Sequence, residues 1–558
     1  TEAGLADEGF NTMAYFADLD RDEDIDCFIV SHRPDFQTLG AVLNGPHRSG
    51  VPEGSDRLYL NDGTGHFADH TAEAGLQSDH FGLSAALGDL NGDGLMDIYI
   101  SDDFYTPDMM MINDGGRAPG EVPHFTDMAT RLLKHTSYFS MGMDRADFNN
   151  DMEPDLYVVD MTPSDHRLSK ENMASMAPGQ FKAMVANGMH HQYMFNNLQL
   201  NNGDGTWSEM AQMAGVDRTD WSWAPLFADL DNDGWKDLFV TNGIKRDIAN
   251  NDFRNKVRPY ANAKASERPP LQDMLDLAPK HAPEKMIYRN NHDLTFSTAM
   301  ELWDCHHKSL SNGAAYADLD RDGDLDLVTV DVDAPATVIR NLTRENTGAG
   351  YLQLALKGTT SNPQAIGASA TLYSLGGPQK CEMLPARGFQ SSVEPILHFG
   401  VPDDRIDSVV IDWPDGQQTL LTSPQRDQRI VLDRSSLRPR PHTPAISPLF
   451  EEVSGELGLH LRHEENVFDD LAVETLLPQR QSDHGPGGAI ADVDGDGLED
   501  LLLTASAGSP CVLLLQNASG TFAPSGSQPW RKFKASEFIG AHFFDADGDK
   551  DQDLYLAA

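Results

Sequence analysis

An acidic nine-residue loop recurs seven times along the chain, with an oxygen-bearing side chain at positions 1, 3, 5 and 9. The first copy places Asp18, Asp20, Asp22 and Asp26 at these positions, with Asp24 at position 7. The second has Asp89, Asn91, Asp93 and Asp97, and the third Asp147, Asn149, Asp151 and Asp155. The fourth has Asp229, Asp231, Asp233 and Asp237. The fifth has Asp318, Asp320, Asp322 and Asp326, again with an aspartate, Asp324, at position 7. The sixth has Asp492, Asp494, Asp496 and Asp500, and the seventh Asp545, Asp547, Asp549 and Asp553, with Asp551 at position 7. Hard cations such as Ca²⁺ take about six to eight oxygen ligands. Four side chains and a backbone carbonyl at position 7 supply such a shell, so the pattern predicts up to seven Ca²⁺ ions. It also predicts a modular fold rather than one built around a single pocket.

The loops are not EF-hands, which need a bidentate Glu at position 12 and a helix on each side. Position 12 is Ile29, Ile100, Val158, Val240, Thr329, Leu503 and Leu556. Runs such as D-I-Y-I-S, D-L-F-V-T and D-L-L-L-T follow the loops and read as strands. Small-residue strands such as S-A-A-L-G-D and G-A-A-Y-A-D precede them, so each loop closes a β-hairpin. A second phrase, L-Y-L-N-D-G-T-G-H-F at 58–67, L-Q-L-N-N-G-D-G-T-W at 198–207 and I-Y-R-N-N-H-D-L-T-F at 287–296, reads strand, turn, strand. Two hairpins make a four-stranded unit, and radial repetition of such units is a β-propeller. The expected fold is all-β: a propeller of six or seven blades over 1–342, a small β-sandwich over 343–434, a proline-rich linker at 435–448 and the start of a second propeller over 449–558. The sandwich fills the 174-residue interval between loops five and six.

The net charge of −45 argues against nucleic acid as a partner. No apolar run reaches the length of about 18 residues that a membrane span needs. Cys27, Cys305, Cys381 and Cys511 show no paired spacing, so buried free thiols are expected rather than a disulfide framework or a zinc site. The chain opens in mid-repeat at Thr1 and stops just after a loop at Ala558, which reads as a processed or excised piece of something longer.

The phrase F-G-L-S-A-A-L-G-D-L-N-G-D-G at 81–94 resembles FG-GAP/VCBS-type propeller repeats, whose loops are similar to those of integrin α-chain propellers. A-I-G-A-S-A-T-L-Y at 365–373, H-F-G-V at 398–401 and D-W-P-D-G-Q at 412–417 resemble the ASPIC/UnbV domain. The stretches 219–243 and 476–497 resemble the large bacterial type of the cartilage acidic protein-like group. The resemblance implies an exported, calcium-binding propeller, extracellular or at the cell surface, in a group whose bacterial members mostly lack a defined activity. There are departures from the pattern. Glu23 in loop 1 and Met152 in loop 3 stand where glycine is favoured by the sharp turn.

If the acidic loops share one face, the loops joining second and third strands emerge on the other. Three of these are long, at about 31–56, 161–192 and 242–285, and long loops often carry function. The third carries ten Lys/Arg against six Asp/Glu between positions 244 and 289. Lys245, Arg246, Arg254, Lys256 and Arg258 are candidate contacts to an anionic glycan, with pairing to nearby acids as the alternative. Trp221 and Trp223 are expected to pack between blades, and neither His190–His191 nor His306–His307 is expected to chelate a metal. The sequence thus predicts a secreted or surface calcium-binding scaffold for adhesion or for recognition of a glycan or extracellular protein. The alternatives are a polysaccharide lyase or hydrolase on the same face and a structural spacer. No catalytic residue is identified.

Overall fold

The computed structural model of the chain describes residues 3–6, 9–33, 54–78, 80–115, 118–172, 178–261, 263, 268–403, 405–436, 440–441, 453–466, 468, 470–474, 482 and 485–558. The fold is all-β, in mostly antiparallel sheets, and divides into two compact units, Thr1–Thr443 and Pro444–Ala558.

The first unit opens with five propeller blades. Blade 1 pairs Asn11–Ala17, Asp26–Ser31, Arg57–Asn61 and Phe67–Asp69 in chain order. Blade 2 pairs Gly82–Gly88, Asp97–Asp102, Met109–Asn113 and Phe125–Asp127. Blade 3 uses Met143–Ala146, Asp155–Val158, Asn197–Asn201 and Trp207–Glu209. Blade 4 uses Ser222–Ala228, Asp237–Asn242, Met286–Asn290 and Phe296–Thr298. Blade 5 has three strands, Ser311–Ala317, Asp326–Asp331 and Thr337–Ile339. Each acidic loop is the tip between the first and second strands of its blade.

Second strands read as near-continuous apolar runs because both their faces are covered. Phe28 and Val30, Tyr99 and Ser101, Tyr157 and Val159, and Phe239 and Thr241 are fully buried at equivalent positions, where the next blade lies over them. In blade 5 the equivalent Val330 is 61% exposed, since no further blade follows within this unit among the described residues. Five blades are therefore visible here, and the expected six or seven is a larger number than the described residues display. First strands are small-residue rich because they pack side by side. The Ala85 N–H donates to Tyr15 Oη at 2.7 Å, Ser84 Oγ to the Met141 carbonyl at 3.0 Å, and the Phe227 N–H to Asp144 Oδ2 at 2.6 Å.

A two-layer sandwich follows. One sheet orders Leu397–Val401, Gly350–Lys357 and Gln428–Asp433. The other is built on Gly377–Glu382, Ser369–Ser374, Ile406–Asp412 and Gln417–Thr422. Alternate residues from both layers, including Leu352, Leu354, Leu372, Phe399, Val409, Ile411 and Trp413, fill the core between them. The second unit contains one four-stranded blade, Gly488–Ala491, Asp500–Leu503, Val512–Gln516 and Phe522–Pro524, and a hairpin, Gly540–Phe544 with Asp553–Ala557.

Blades 1 and 2 are pinned by a buried ionic cluster. His80 Nε2 lies 2.8 Å from Asp56 Oδ2, and its Nδ1 lies 3.3 Å from Asp102 Oδ2. Burial alone would lower the imidazole pKa. The charges of Asp56 and Asp102 outweigh burial and raise it well above the ordinary histidine value. A group with a raised folded pKa contributes fully below its unfolded value of about 6.5, and that contribution is lost as pH rises through the folded value. H80Q is therefore expected to flatten the fall in stability as pH rises above about 6.5, as followed by thermal melts across pH.

Candidate metal centres on the acidic-loop face

Each loop is wound by its own carboxylates. In loops 1 to 4 the aspartate at position 1 accepts the N–H groups of positions 5 and 6. For Asp229 these are Asp233 N at 3.1 Å and Gly234 N at 2.9 Å, and for Asp147 they are Asp151 N and Met152 N, both at 3.1 Å. Position 6 has positive φ throughout the propeller loops. Met152 (φ 80°) and Glu23 (φ 73°) adopt the turn that Gly94 and Gly234 adopt, so loops 1 and 3 keep the common shape despite lacking glycine there.

The aspartate at position 9 ties the loop to its blade. Asp237 Oδ2 accepts the Leu230 N–H at 3.0 Å, and its Oδ1 accepts Asn290 N, from the third strand, at 3.0 Å. Asp26, Asp97, Asp155 and Asp326 repeat both contacts. The asparagine ending the third strand then reaches back to the preceding blade. Asn201 Nδ2 donates to Leu90 O at 3.5 Å, Asn290 Nδ2 to Phe148 O at 2.8 Å and Asn341 Nδ2 to Leu230 O at 2.7 Å. The acceptor is the second residue of the previous acidic loop each time. The recurrence of this asparagine in L-Y-L-N, L-Q-L-N and I-Y-R-N is the sequence signal of the contact.

The carboxylates are crowded. Asp18, Asp20 and Asp22, then Asp229, Asp231 and Asp237, then Asp318, Asp320 and Asp322, and in the second unit Asp492, Asp494 and Asp500, each bring three oxygens within 4.8 Å of one another. Burial, then neighbouring carboxylates, push Asp20 and Asp229 up to about 7. Burial pushes Asp26 up to about 8 and Asp97 to about 7 against the pull of their backbone N–H donors. Asp24 Oδ1, Asp318 Oδ1 and Asp324 Oδ1 are buried oxygens with no hydrogen-bond partner. Buried charge of one sign with unpartnered oxygens fits a hard divalent cation. Loops 4 and 5 also hold an arginine. Arg289 reaches Asp231 at 2.7 Å and Asp233 at 3.0 Å, and Arg340 reaches Asp320 at 2.8 Å.

The sandwich docks on this same face. The Gly400 N–H donates to Asp229 Oδ2 at 3.0 Å, and His398 Nε2 meets Asn232 Oδ1 at 2.8 Å. A Cβ on Gly400 would lie 2.0 Å from Asp229 Oδ2, and one on Gly323 would lie 1.9 Å from the Tyr351 ring. Gln353 Nε2 donates to Asp318 Oδ2 at 2.9 Å, Lys380 Nζ to Met152 O at 3.0 Å, and Glu382 pairs with Arg145. A short hairpin of the sandwich, Ala386–Arg387 with Ser391–Ser392, runs in among the first strands beside a cavity of about 920 Å³. Arg387 there donates to Asp144 Oδ1 and Tyr316 Oη, both at 2.7 Å, and to the Arg145 carbonyl at 2.5 Å.

The FG-GAP-like repeat matches residues 41–100, 184–240 and 492–556, and ASPIC and UnbV matches 358–438. The chain carries FG-GAP-like repeats and an ASPIC and UnbV domain. It is 26% identical over 265 residues to human cartilage acidic protein 1 and 25% identical over 265 residues to the mouse protein. Each alignment covers 43% of this chain, and the chain spans about two fifths of the relatives' own length, 40% and 41%. Two solved structures align at low similarity. An Agrocybe aegerita lectin that recognises non-reducing terminal N-acetylglucosamine gives 12% identity and a TM-score of 0.23, over 99% of this chain and 96% of the lectin. The exotype rhamnogalacturonan lyase YesX gives 12% identity and a TM-score of 0.29, over 93% of this chain and 65% of the lyase. Neither score carries a functional conclusion.

On the face opposite the ASPIC/UnbV domain, the 161–192 loop carries helices His166–Glu171 and Pro178–Ala186, and the 242–285 loop carries Asn251–Ala261 and Leu271–Leu275. Residues 34–53 of the first long loop lie outside the described residues. Lys245 pairs with Asp333, Arg246 reaches Asp276 at 2.6 Å, and Arg254 Nε donates to the Ile248 carbonyl at 3.3 Å. Lys256 and Arg258 are exposed on the helix Asn251–Ala261. The five cations are therefore not gathered at one point. Trp223 packs on Phe389 of the ASPIC/UnbV hairpin, ring centroids 4.9 Å apart, and donates Nε1 to the Gly243 carbonyl at 2.7 Å. His306 sits near Glu284 and Glu301 while His307 meets Thr337, so that histidine pair diverges. The four cysteines are free, with Cys27 and Cys511 buried and Cys305 and Cys381 half-buried. No helix among the described residues is long and apolar enough to cross a membrane.

Arg387 is the residue that no sequence pattern marked. Its removal leaves the Asp144 carboxylate buried without its charged partner. R387M is expected to destabilise the first unit by about 3 kcal/mol in urea denaturation, with a smaller loss for R387K.

Proposed function

We propose that this chain is an exported, calcium-stiffened propeller scaffold for adhesion or for recognition of a glycan or an extracellular protein, without catalysis of its own. The observation that carries the reading is the division of labour between faces. The ASPIC/UnbV domain covers the acidic loops of blades 3 to 5, reaching the blade 2 loop through Arg145, which also donates to the Asp89 carbonyl at 2.9 Å. The helix-bearing loops lie on the other side, where Lys256 and Arg258 are exposed. Calcium in the loops then pins hairpins and the docked domain, and the long-loop face meets the partner. The domain limits that suit this reading are 1–342 for the first propeller, 343–434 for the ASPIC/UnbV sandwich, 435–448 for the linker and 449–558 for the second propeller.

The calcium part predicts that chelation lowers the melting temperature and that added calcium restores it. Each site contributes about 2.7 kcal/mol when free calcium is a hundredfold above its Kd. A melt unmoved by chelator and by calcium contradicts it. The recognition part predicts saturable binding to a member of a panel of acidic and neutral polysaccharides, weakened by K256A/R258A, with no product released. Release of unsaturated or reducing ends would replace the scaffold reading with a lyase or hydrolase.

A further inference from the structure

Loop 5 gathers its carboxylates into two groups that share a member. Asp318, Asp320 and Asp322 bring oxygens within 4.8 Å of one another, and so do Asp322, Asp324 and Glu345. Asp322 belongs to both groups. Glu345 is not a loop residue. It lies on the short helix Thr343–Thr347, which leads from blade 5 into the first strand of the sandwich, Gly350–Lys357.

Asp324 supplies the independent sign of a ligand. Its side chain is fully buried. One carboxylate oxygen accepts the Arg344 N–H at 3.0 Å, and the other, Oδ1, has no partner. A buried carboxylate oxygen left bare is costly unless something positive meets it. Position 7 holds Leu95, Glu153 and Trp235 in loops 2 to 4 and Asp24 in loop 1, whose Oδ1 is bare as well. In loop 5 the side chain at this position joins a second cluster.

The charge balance leaves room for more than one ion. Asp318, Asp320, Asp322, Asp324, Asp326 and Glu345 carry six negative charges. Arg340 contacts Asp320, Asp322 and Glu345, and Arg429 lies 3.9 Å from Asp318. Arg344 turns its guanidinium away to Asp427. Arg429 is itself paired with Glu394 at 2.9 Å, so Arg340 alone is committed to the six carboxylates, and the remaining excess of five negative charges is more than one divalent cation offsets. Calcium suits the place better than magnesium, which demands a tight octahedron and keeps its waters.

We propose that loop 5 is a two-cation calcium centre bridged by Asp322, with Asp318 and Asp320 serving one ion and Asp324 and Glu345 the other. The inference rests on the calcium reading of the loops and adds to it a ligand from outside the nine-residue pattern. The second ion ties blade 5 to the helix that enters the ASPIC/UnbV domain.

Native mass spectrometry of the full chain in calcium tests this, comparing the wild type with E345Q, D324N and the double variant. Glu345 is exposed and glutamine is isosteric, so E345Q probes the site without threatening the fold. E345Q and D324N are each expected to bind one ion fewer than the wild type, and the double variant also one fewer, because both residues serve the same ion. An unchanged count in E345Q and D324N, or two ions lost in the double variant, overturns the shared centre while leaving calcium in the loops intact. No calcium on the wild type overturns the reading of the loops and this inference with it.

Discussion

Everything in the propeller hangs on carboxylates forced together at hairpin tips. In loops 1 to 4 the aspartate at position 1 winds the loop by accepting two of its N–H groups, and in all five blades the aspartate at position 9 fastens the loop to the third strand. That strand ends in an asparagine that grips the loop of the blade before it. Winding, intrablade pairing and interblade contact therefore meet at one place. The arrangement concentrates negative charge in a partly buried site, where mutual repulsion is weakly screened. A divalent cation would relieve that repulsion without disturbing the hydrogen bonds, because a carboxylate can accept N–H donors and ligate metal at the same time.

The ASPIC/UnbV domain is part of the same mechanical unit rather than an appendage. Its H-F-G-V strand sets Gly400 against Asp229, at a spot where any side chain would collide with the carboxylate. Its hairpin carries Arg387 in among the first strands, and burial pushes the Asp144 carboxyl up even though Arg387 opposes the shift. An ion pair so placed contributes specificity of docking more than raw stability, since desolvating two charges offsets much of their attraction. The domain thereby reads loop geometry directly, and a change at loop 4 is felt in the sandwich through the Asp229–Gly400 and Asn232–His398 contacts.

The blades, the loops and the sandwich were legible in the sequence because each is written in local patterns. Acidic spacing marks the hairpin tips, apolar runs mark strands covered on both faces, and turn residues mark the ends. Contacts between distant segments were not legible. Arg387 follows Ala386 in a short turn, and nothing around it announces a partner 243 residues away. His80 likewise gives no periodic signal, since its partners are Asp56, just before the third strand of blade 1, and Asp102, at the end of the second strand of blade 2. The basic stretch of the third long loop shows the converse. Composition suggested a cluster, yet Lys245 and Arg246 turn to Asp333 and Asp276 while Lys256 and Arg258 stay on the helix surface. Charge counts along a chain do not say which charges meet.

The loops also fall into kinds that the shared motif conceals. In loops 2 and 3 the asparagine at position 3 donates to the aspartate at position 5, Asn91 to Asp93 at 3.0 Å and Asn149 to Asp151 at 2.7 Å. In loops 4 and 5 an arginine from the end of the third strand takes up positions 3 and 5 instead. Leu60, Ile112 and Leu200 occupy the equivalent place in blades 1 to 3, so the arginine is confined to the two blades on which the ASPIC/UnbV strands set backbone and amide donors against the first aspartate. Docking a domain over an acidic loop removes water from it, and removing water makes uncompensated charge more expensive. Arginine at those two loops, and only there among the propeller blades described, is the response that this cost demands. It holds the outer carboxylates while leaving the inner oxygens of Asp318 and Asp324 bare, so the covered loops keep a fixed shape around the very atoms a cation would bind.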